Sequence, residues 1–226
     1  MTGPNGTPAT DGTAPANGTG TGTPDSTAAA HGTGTGTTAG PGAAALTTPL
    51  GTFGFRPLDP VADGELVHSW VTHPKAAFWL MQGLDRAEVE REYATVAAHP
   101  HHDAFVGLRD GAPAFLMERY DPRYVELVGL YDPEPGDIGM HFLTPPTDTP
   151  VHGFTRAVIT AVMAELFTDP AVRRVVVEPD ASNTAVHALN EVVGFEPVAK
   201  IVKPEKEALL SFCTREQFRA ATGIAV

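Results

Sequence analysis

His141 and Asp180 are of the residue types that transfer protons, and both lie where strands are predicted. His141 belongs to residues 137–143, whose alternation is typical of a strand and puts the imidazole on the face opposite Met140. Asp180 follows the continuous apolar run 175–177, as expected of a strand buried on both faces. An imidazole can remove a proton from an attacking nucleophile near pH 7, and a neighbouring carboxylate can fix its tautomer.

A plainer interpretation of these two residues stays open from the sequence alone. A single histidine on a strand is commonly a core residue. Asp180 could equally serve only to begin the helix that follows it. The two residues can act together only if the predicted strands and helices bring their side chains close to each other.

The predicted elements around these residues form an α/β domain. Apolar periodicity, turn residues and capping residues predict a strand at 53–58, helices at 66–70, 76–81 and 85–98, a hairpin of 104–108 and 114–120, a strand at 137–143, a helix from 149 to about 167, a strand at 174–178, a helix from about 183 to 194, strands at 195–202 and 207–213, and a helix at 216–221. This order predicts a mixed central sheet with helices on both faces. The sheet should be antiparallel early and locally parallel around the strand-helix-strand unit 137–178.

A ligand is expected at this strand-helix-strand unit. In open α/β sheets the crevice beyond the carboxyl ends of parallel strands holds the ligand, and a helix N-terminus there presents free amide groups to phosphates. Thr149-Pro150 has the pattern of an N-cap followed by proline at the first helical position. We therefore predict that the helix begins there.

Composition divides the chain at about residue 50. Residues 1–50 consist almost entirely of Gly, Thr, Ala, Pro, Asn and Ser and contain neither Lys nor Arg. We therefore predict a disordered tail without a secretory or mitochondrial signal. Residues 51–226 have an ordinary length for a single domain with one core.

Charge and cysteine content restrict the partners and the compartment. The net charge of −12 at pH 7 argues against nucleic acid and suits a small cationic substrate. The absence of a long apolar run predicts no membrane span, and the single cysteine, Cys213, fits a reducing compartment. We expect a cytoplasmic protein that is a monomer or a weak dimer. The histidines of residues 99–102 have only Asp103 beside them, so we predict no metal site.

Three segments make the chain resemble the GNAT superfamily of N-acyltransferases. They are Gly139-Met140-His141-Phe142-Leu143 followed by Pro145, Val176-Val177-Glu178-Pro179-Asp180 followed by Asn183, and Gly194-Phe195. The first two are similar to the branch that acylates lysine, hydroxylysine or N-hydroxycadaverine for the siderophores mycobactin, aerobactin and desferrioxamine. The resemblance covers residues 53–220. It implies a GNAT-like fold, a small amine or hydroxylamine acceptor, and acetyl- or succinyl-coenzyme A as a co-substrate that is not permanently bound.

By that resemblance His141 and Asp180 form the catalytic pair, with His141 as general base in a direct transfer that yields a hydroxamate. Trp79 and Asp180 would contact the acceptor, Asp180 by holding the distal ammonium group of a diamine. The acyl-coenzyme A would lie against Leu143, Val151, His152, Gly153, Phe154, Thr155 and Asn183. Core packing is the alternative role for Trp79, and helix capping is the alternative for Asn183.

The sequence departs from the family pattern in two places. The phosphate-binding loop keeps only Gly153 of the usual pattern, and Pro150 supplies no amide. Asn190 stands where many members have the tyrosine that protonates the leaving thiolate, so water or His141 would supply this proton. Two other functions stay open: acylation of an ordinary amine, polyamine or protein amino group, and a non-catalytic acyl-coenzyme A-binding module.

Overall fold

The computed structural model describes residues 46–226. Most of the tail predicted at residues 1–50 lies outside the described residues. Residues 46–48 already belong to the sheet, because strand β1 (Leu46–Thr48) pairs with strand β2 (Gly51–Pro57). The sheet therefore begins before the predicted boundary at residue 51, in a segment too short to show a strand pattern of its own. No helix within 46–226 has the length and apolar character needed to cross a bilayer.

The described residues form one sheet with the strand order β1-β2-β3-β4-β5-β6-β8-β7. The other strands are β3 (His102–Arg109), β4 (Ala112–Tyr120), β5 (Asp137–Leu143), β6 (Arg174–Val177), β7 (Glu196–Val202) and β8 (Glu207–Thr214). Strands β5 and β6 pair in parallel, whereas the remaining neighbours are antiparallel. This is the mixed sheet that the sequence predicts, and the prediction is confirmed.

Helices cover both faces of the sheet. They are α1 (Gly64–Val71), the short 3-10 segment Pro74–Trp79, α2 (Arg86–Ala98), α3 (Phe154–Leu166), α4 (Thr184–Val192) and α5 (Arg215–Thr222). Apolar residues of α1 and α2 pack on Leu116 of β4 on one face. Apolar residues of α3 and α5 pack on Met140 of β5 on the other face. Burying both faces of the sheet gives the domain its core.

The alternation along β5 decides which face His141 occupies. Met140 packs in the cluster formed with α3, whereas Leu143 packs with the cluster formed by α1 and α2. Side chains of successive strand residues point to opposite faces. His141 therefore points to the α1 and α2 side, opposite Met140, as predicted.

Strands β5 and β6 separate where the candidate site begins. Their pairing runs from Asp137 with Arg174 to Gly139 with Val176 and stops there, although β5 continues to Leu143. His141 and Glu178 are each two residues beyond the last paired position, so both side chains lie on the same face as that pair. The separation opens a cleft between the two strands.

Helix α3 begins later than the sequence predicts. Its first residue is Phe154, and Gly153 is the N-cap with a φ of 78°. Thr149 belongs to a turn in which its amide donates to Thr147 Oγ1 at 3.1 Å. The predicted start at Thr149-Pro150 is wrong, because proline suits a loop as well as a first helical turn. The left-handed conformation of Gly153 is what directs the chain into the helix.

Candidate active site

His141 forms an ion pair across the cleft with Glu178. Its Nε2 lies 2.8 Å from Oε1 of Glu178, a carboxylate whose residue is 1% exposed. The other oxygen of Glu178 accepts a hydrogen bond of 2.7 Å from the hydroxyl of Tyr120. A carboxylate bound to one ring nitrogen fixes the orientation of the imidazole and stabilises its charged form.

Lys203 supplies a second cation to Glu178. Its ammonium group lies 3.2 Å from Glu178 Oε1 and is shared with Glu126 at 2.7 Å and Glu205 at 3.3 Å. Burial alone would raise the pKa of Glu178, but His141 and Lys203 outweigh burial and hold that pKa well below its usual range. Glu178 is therefore ionised at neutral pH, and its charge is fully paired.

A second buried carboxylate, Glu118, faces the other nitrogen of the imidazole. The register of β4 and β5 places Glu118 directly opposite His141. Oε2 of Glu118 lies 3.5 Å from Nδ1 of His141. Burial alone would lower the pKa of His141, but Glu178 and Glu118 outweigh burial and raise this pKa to about 10. His141 is therefore mainly an imidazolium at neutral pH.

Gly139 makes room for the Tyr120 ring that supports Glu178. These residues are direct partners across β4 and β5. A Cβ atom on Gly139 would lie 2.1 Å from the aromatic ring of Tyr120, so only glycine leaves enough space. The ring lies over β5 and its hydroxyl reaches Glu178. The glycine of the segment 139–143 is thus explained by a close approach of a side chain.

Replacing Gly139 with alanine is expected to reduce the free energy of unfolding by about 1–3 kcal/mol, since the added methyl group overpacks a filled site. Urea denaturation would measure the change. Gly54→Ala is a matched control on strand β2, because a Cβ atom there meets nothing within 4 Å. The control is expected to change stability by less than about 1 kcal/mol. Equal stabilities of the two variants would contradict the explanation.

The cleft widens into a cavity of about 670 Å³ that contains His141, Glu118 and Trp79 in its wall. The indole Nε1 of Trp79 donates to the hydroxyl of Tyr93 at 3.3 Å. The indole ring stands edge-on to the imidazole, with 6.2 Å between ring centroids. Trp79 therefore packs against the domain and also faces the cavity, so the packing role is observed and contact with an acceptor stays a prediction.

Asp180 lies in the cavity wall but does not contact His141. Its Oδ1 accepts hydrogen bonds from the amide of Ser182 at 2.7 Å and from the Ser182 hydroxyl at 2.5 Å. The expectation that Asp180 is the carboxylate beside the imidazole is corrected, because Glu178 occupies that position. Asp180 follows Pro179, beyond the end of β6, and lies nearer the start of α4. It remains free to meet a ligand from the cavity wall.

Most of the residues expected to bind the acyl donor lie around the start of α3, and Asn183 lies at the start of α4. The cavity wall includes Leu143, Thr155 and Asn183, and an adjoining depression is lined by Val151 and Phe154 together with Leu143 and Thr155. His152 and Gly153 are exposed in the turn before α3. The first amide groups of a helix have no carbonyl partner within it, and the helix dipole favours an anion there. The start of α3 can therefore bind a phosphate group.

Phe154 and Asn183 also have structural roles. The ring of Phe154 packs near Phe53, at 6.0 Å between centroids, so its side chain is packed against the core. Asn183 is the N-cap of α4, where its side chain accepts from the amide of Val186 at 3.3 Å. Helix capping by Asn183, one of the two roles considered from the sequence, is thus present.

Asn190, which stands at the tyrosine position of the family pattern, is 4% exposed and lies in the cavity wall. A carboxamide has no acidic proton to give to a leaving thiolate.

The side chains of the segment 99–103 contact other residues of the domain. His101 stacks on Tyr124 with 4.0 Å between centroids, and Arg119 donates to Asp103 at 2.9 Å. Within residues 46–226 no group of three or more His, Cys, Asp or Glu side chains is arranged to hold a metal ion.

Three charged residues of the site were not predicted from the sequence: Glu118, Glu178 and Lys203. Glu178 lies inside a quoted segment, and counting two residues from Val176 would have put it on the face of the cleft. Glu118 could not be found in this way, because its position depends on the register of β4 against β5. Lys203 follows β7, which is distant in sequence from the other residues of the site.

Comparisons with known proteins agree with this architecture. Residues 59–203 match the model of the acetyltransferase (GNAT) domain family. The lysine N-acyltransferase MbtK of Mycobacterium sp. (strain MCS) is 28% identical over 151 residues, which cover 63% of this chain and 59% of that relative. The chain thus spans less than two thirds of that curated protein.

Two solved structures have a similar fold. An uncharacterized protein (bh2621) from Bacillus halodurans aligns with a TM-score of 0.71 and 24% identity, over 75% of this chain and 88% of that one. Aminoglycoside acetyltransferase AAC(6')-Ib in complex with coenzyme A aligns with a TM-score of 0.66 and 21% identity, over 74% of this chain and 98% of that one. At such identities the likeness concerns the fold.

Proposed function

Because the chain belongs to the GNAT acetyltransferase family, we propose that it transfers an acyl group from acetyl- or succinyl-coenzyme A to the nitrogen of an N-hydroxylated diamine or a lysine-like acceptor. N-hydroxycadaverine is the acceptor we would choose first, and a hydroxamate for siderophore biosynthesis is the expected product. The observation that carries the proposal is His141, held between two carboxylates in the cleft beside the start of α3. The likeness to a lysine N-acyltransferase supports a lysine-like acceptor.

The chemistry is a direct transfer in which His141 is the general base. The acceptor nitrogen attacks the thioester carbonyl, the C–N bond forms, and the C–S bond breaks. The N–H proton passes to Nδ1 of His141, while Nε2 stays bound to Glu178. The leaving thiolate takes a proton from water or from the imidazolium and departs as free coenzyme A. His141 must be neutral to accept the proton, so turnover should increase with pH.

A covalent acyl-enzyme intermediate on Cys213 is not expected. Cys213 lies in the core, and burial raises the pKa of its thiol to about 12. A thiol that stays protonated and inaccessible is a poor nucleophile. The proposal therefore requires both substrates to be bound at once.

The donor and the acceptor would approach His141 from opposite sides. The amide groups at the start of α3 and the nearby Lys75 suit the phosphates of the donor, since Lys75 lines both the cavity and the adjoining depression. On the acceptor side, Trp79 offers an apolar surface to an aliphatic chain, and Asp180 or Glu205 offers a carboxylate to a distal ammonium group.

Thiol release is the experiment that tests this function. Wild-type protein would be assayed with acetyl- and succinyl-coenzyme A against N-hydroxycadaverine, N-hydroxylysine, cadaverine, lysine and spermidine. We expect kcat/KM to be at least about tenfold higher for a hydroxylated acceptor than for its parent amine, because the hydroxylamine nitrogen is already neutral at pH 7.

Other outcomes of the same assay separate the competing functions. A preference for spermidine or cadaverine would favour acylation of ordinary polyamines, which the acidic cavity wall also suits. Binding of the donor without thiol release above background for any acceptor would refute the enzymatic proposal. It would favour the acyl-coenzyme A-binding module instead.

A further inference from the structure

Glu118 differs from Glu178 in how its charge is satisfied. Both carboxylates are buried, Glu118 with 7% of its surface exposed. Glu178 accepts hydrogen bonds on both oxygens, from His141 and from Tyr120, at 2.8 and 2.7 Å. The nearest imidazole nitrogens to Glu118 lie 3.4 Å away on His102 and 3.5 Å away on His141, and both face the same oxygen.

These two contacts are longer than charge-assisted hydrogen bonds, which are about 2.7–2.9 Å. The Nε2 atom of His102 is buried and has no hydrogen-bond partner among the described residues. Burial would raise the pKa of Glu118, but His102 and His141 outweigh burial and hold this pKa at about 2. Glu118 is therefore an ionised carboxylate that lacks a short hydrogen bond within residues 46–226. Buried charges are normally paired and hydrogen-bonded, so Glu118 can accept a further, closer hydrogen bond from a ligand.

Glu118 is open to a hydrogen-bond donor on the cavity side. It lines the cavity next to His141. The hydroxyl of Tyr93 accepts from Trp79 and can donate its own proton to Glu118 from within the domain. A ligand bound at Nδ1 of His141 would lie beside Glu118, because the two side chains are 3.5 Å apart.

We propose that Glu118 binds the hydroxyl of the N-hydroxylated acceptor, while His141 Nδ1 receives the N–H proton. This inference rests on the proposed function and adds the group that holds the hydroxyl of the acceptor. The atoms of the two side chains are 3.5 Å apart, which suits an N–H and an O–H on adjacent atoms of one ligand. When the N–H and the O–H of the acceptor are both held, the nitrogen lone pair is left to attack the thioester carbonyl. A primary amine could use its second N–H in the same place.

The balance of the step is complete without another reactant. The C–N bond forms and the C–S bond breaks, the N–H proton goes to His141, and the thiolate becomes a thiol as described above. The O–H proton stays on the hydroxamate product. Glu118 is therefore a binding residue, and it does not change its protonation state.

The test compares an acceptor that carries the N-hydroxyl group with one in which this hydroxyl is methylated. N-hydroxycadaverine and its O-methyl ether would be assayed for kcat/KM by thiol release with wild type, Glu118→Gln and Glu165→Gln. Glu165→Gln is the matched control, because Glu165 is a half-buried glutamate on α3, which packs on the opposite face of the sheet. Melting temperature and acyl-coenzyme A affinity would be measured for each variant.

Wild type and Glu165→Gln are expected to prefer the hydroxylamine over its ether by about 10- to 100-fold, the value of a hydrogen bond to a charged group. Glu118→Gln is expected to lose most of this preference, chiefly through a lower kcat/KM for the hydroxylamine. If Glu118→Gln does not fold, Glu118→Asp replaces it, because the shorter side chain keeps the charge and withdraws the oxygens from the ligand. It too should weaken the preference.

If the wild type is active but a folded Glu118 variant keeps the same preference for the hydroxylamine over its ether, the assignment of Glu118 is overturned. The proposed function would then still stand. A preference that survives in this way would come from the bulk of the methyl group. No thiol release by the wild type with either acceptor would overturn the proposed function and this assignment together.

Discussion

Replacing His141 with glutamine is expected to lower kcat by about 10²- to 10⁴-fold, the usual contribution of a general base. The glutamine amide can still donate to Glu178 from the place of Nε2, which in the wild type lies 2.8 Å from that carboxylate. It offers no basic nitrogen in the place of Nδ1. The variant therefore removes proton acceptance while keeping the contact that supports Glu178. Single-turnover and steady-state thiol release would measure the loss.

His68→Gln is the matched control for this variant. His68 lies on α1 and its Nε2 contacts the carbonyl oxygen of Leu84 at 3.2 Å, outside the cavity. Its kcat should stay within about threefold of the wild type, as for most substitutions away from a site. Acyl-coenzyme A affinity should be unchanged in both variants. A wild-type kcat in a folded His141→Gln protein would exclude His141 as the base.

Replacing Glu178 with glutamine is expected to move the pH dependence of kcat/KM to lower pH. In the wild type the carboxylates raise the pKa of His141 to about 10, so the neutral imidazole is a minority at pH 7 and kcat/KM increases up to that pH. Removing the charge of Glu178 removes the first of the raising contributions, while the burial that lowers the pKa stays. The acid limb should shift down by about 1 to 3 pH units, the range for a close opposite charge.

The same substitution is expected to reduce the free energy of unfolding by about 3–5 kcal/mol, because it breaks a buried ion pair and leaves Lys203 without one of its carboxylates. Glu134→Gln is the matched control, since Glu134 pairs with Arg174 while its side chain is 71% exposed. An exposed pair of this kind contributes at most about 1 kcal/mol. Urea denaturation at pH 7 and a pH profile of thiol release would be recorded for both variants. A pH profile of Glu178→Gln that superimposes on the wild type would mean that Glu178 does not set the basicity of His141.

Local patterns of the sequence predicted the fold well where they involve few residues. The alternation along β5 put His141 opposite Met140, the helix predicted at 85–98 is observed as α2, and the capping role considered for Asn183 is observed at α4. The start of α3 was misplaced, since the proline pattern at Thr149-Pro150 does not distinguish a loop from a helix. Element types were thus easier to predict than element boundaries.

The candidate site was predicted only in part, because its charges meet through strand register. The sequence indicated His141 and the region at the start of α3, and the structure places both beside one cavity. Glu118 reaches His141 only because β4 and β5 pair in one particular register after the loop 121–136. A shift by one residue would put Glu118 on the opposite face of the sheet. No pattern within either strand encodes that choice.

The separation of β5 from β6 also has a consequence for how such a domain can diverge. Beyond Gly139, the side of β5 that faces β6 keeps its peptide groups unpaired with that strand. An extended ligand can bind such an edge through the main chain alone, whatever side chains the strand carries. Chemistry at this cleft depends on side chains such as His141 and Glu118, whereas an interaction with the main chain does not. Side chains of the cavity can therefore be replaced without changing what this main-chain edge offers to an extended ligand.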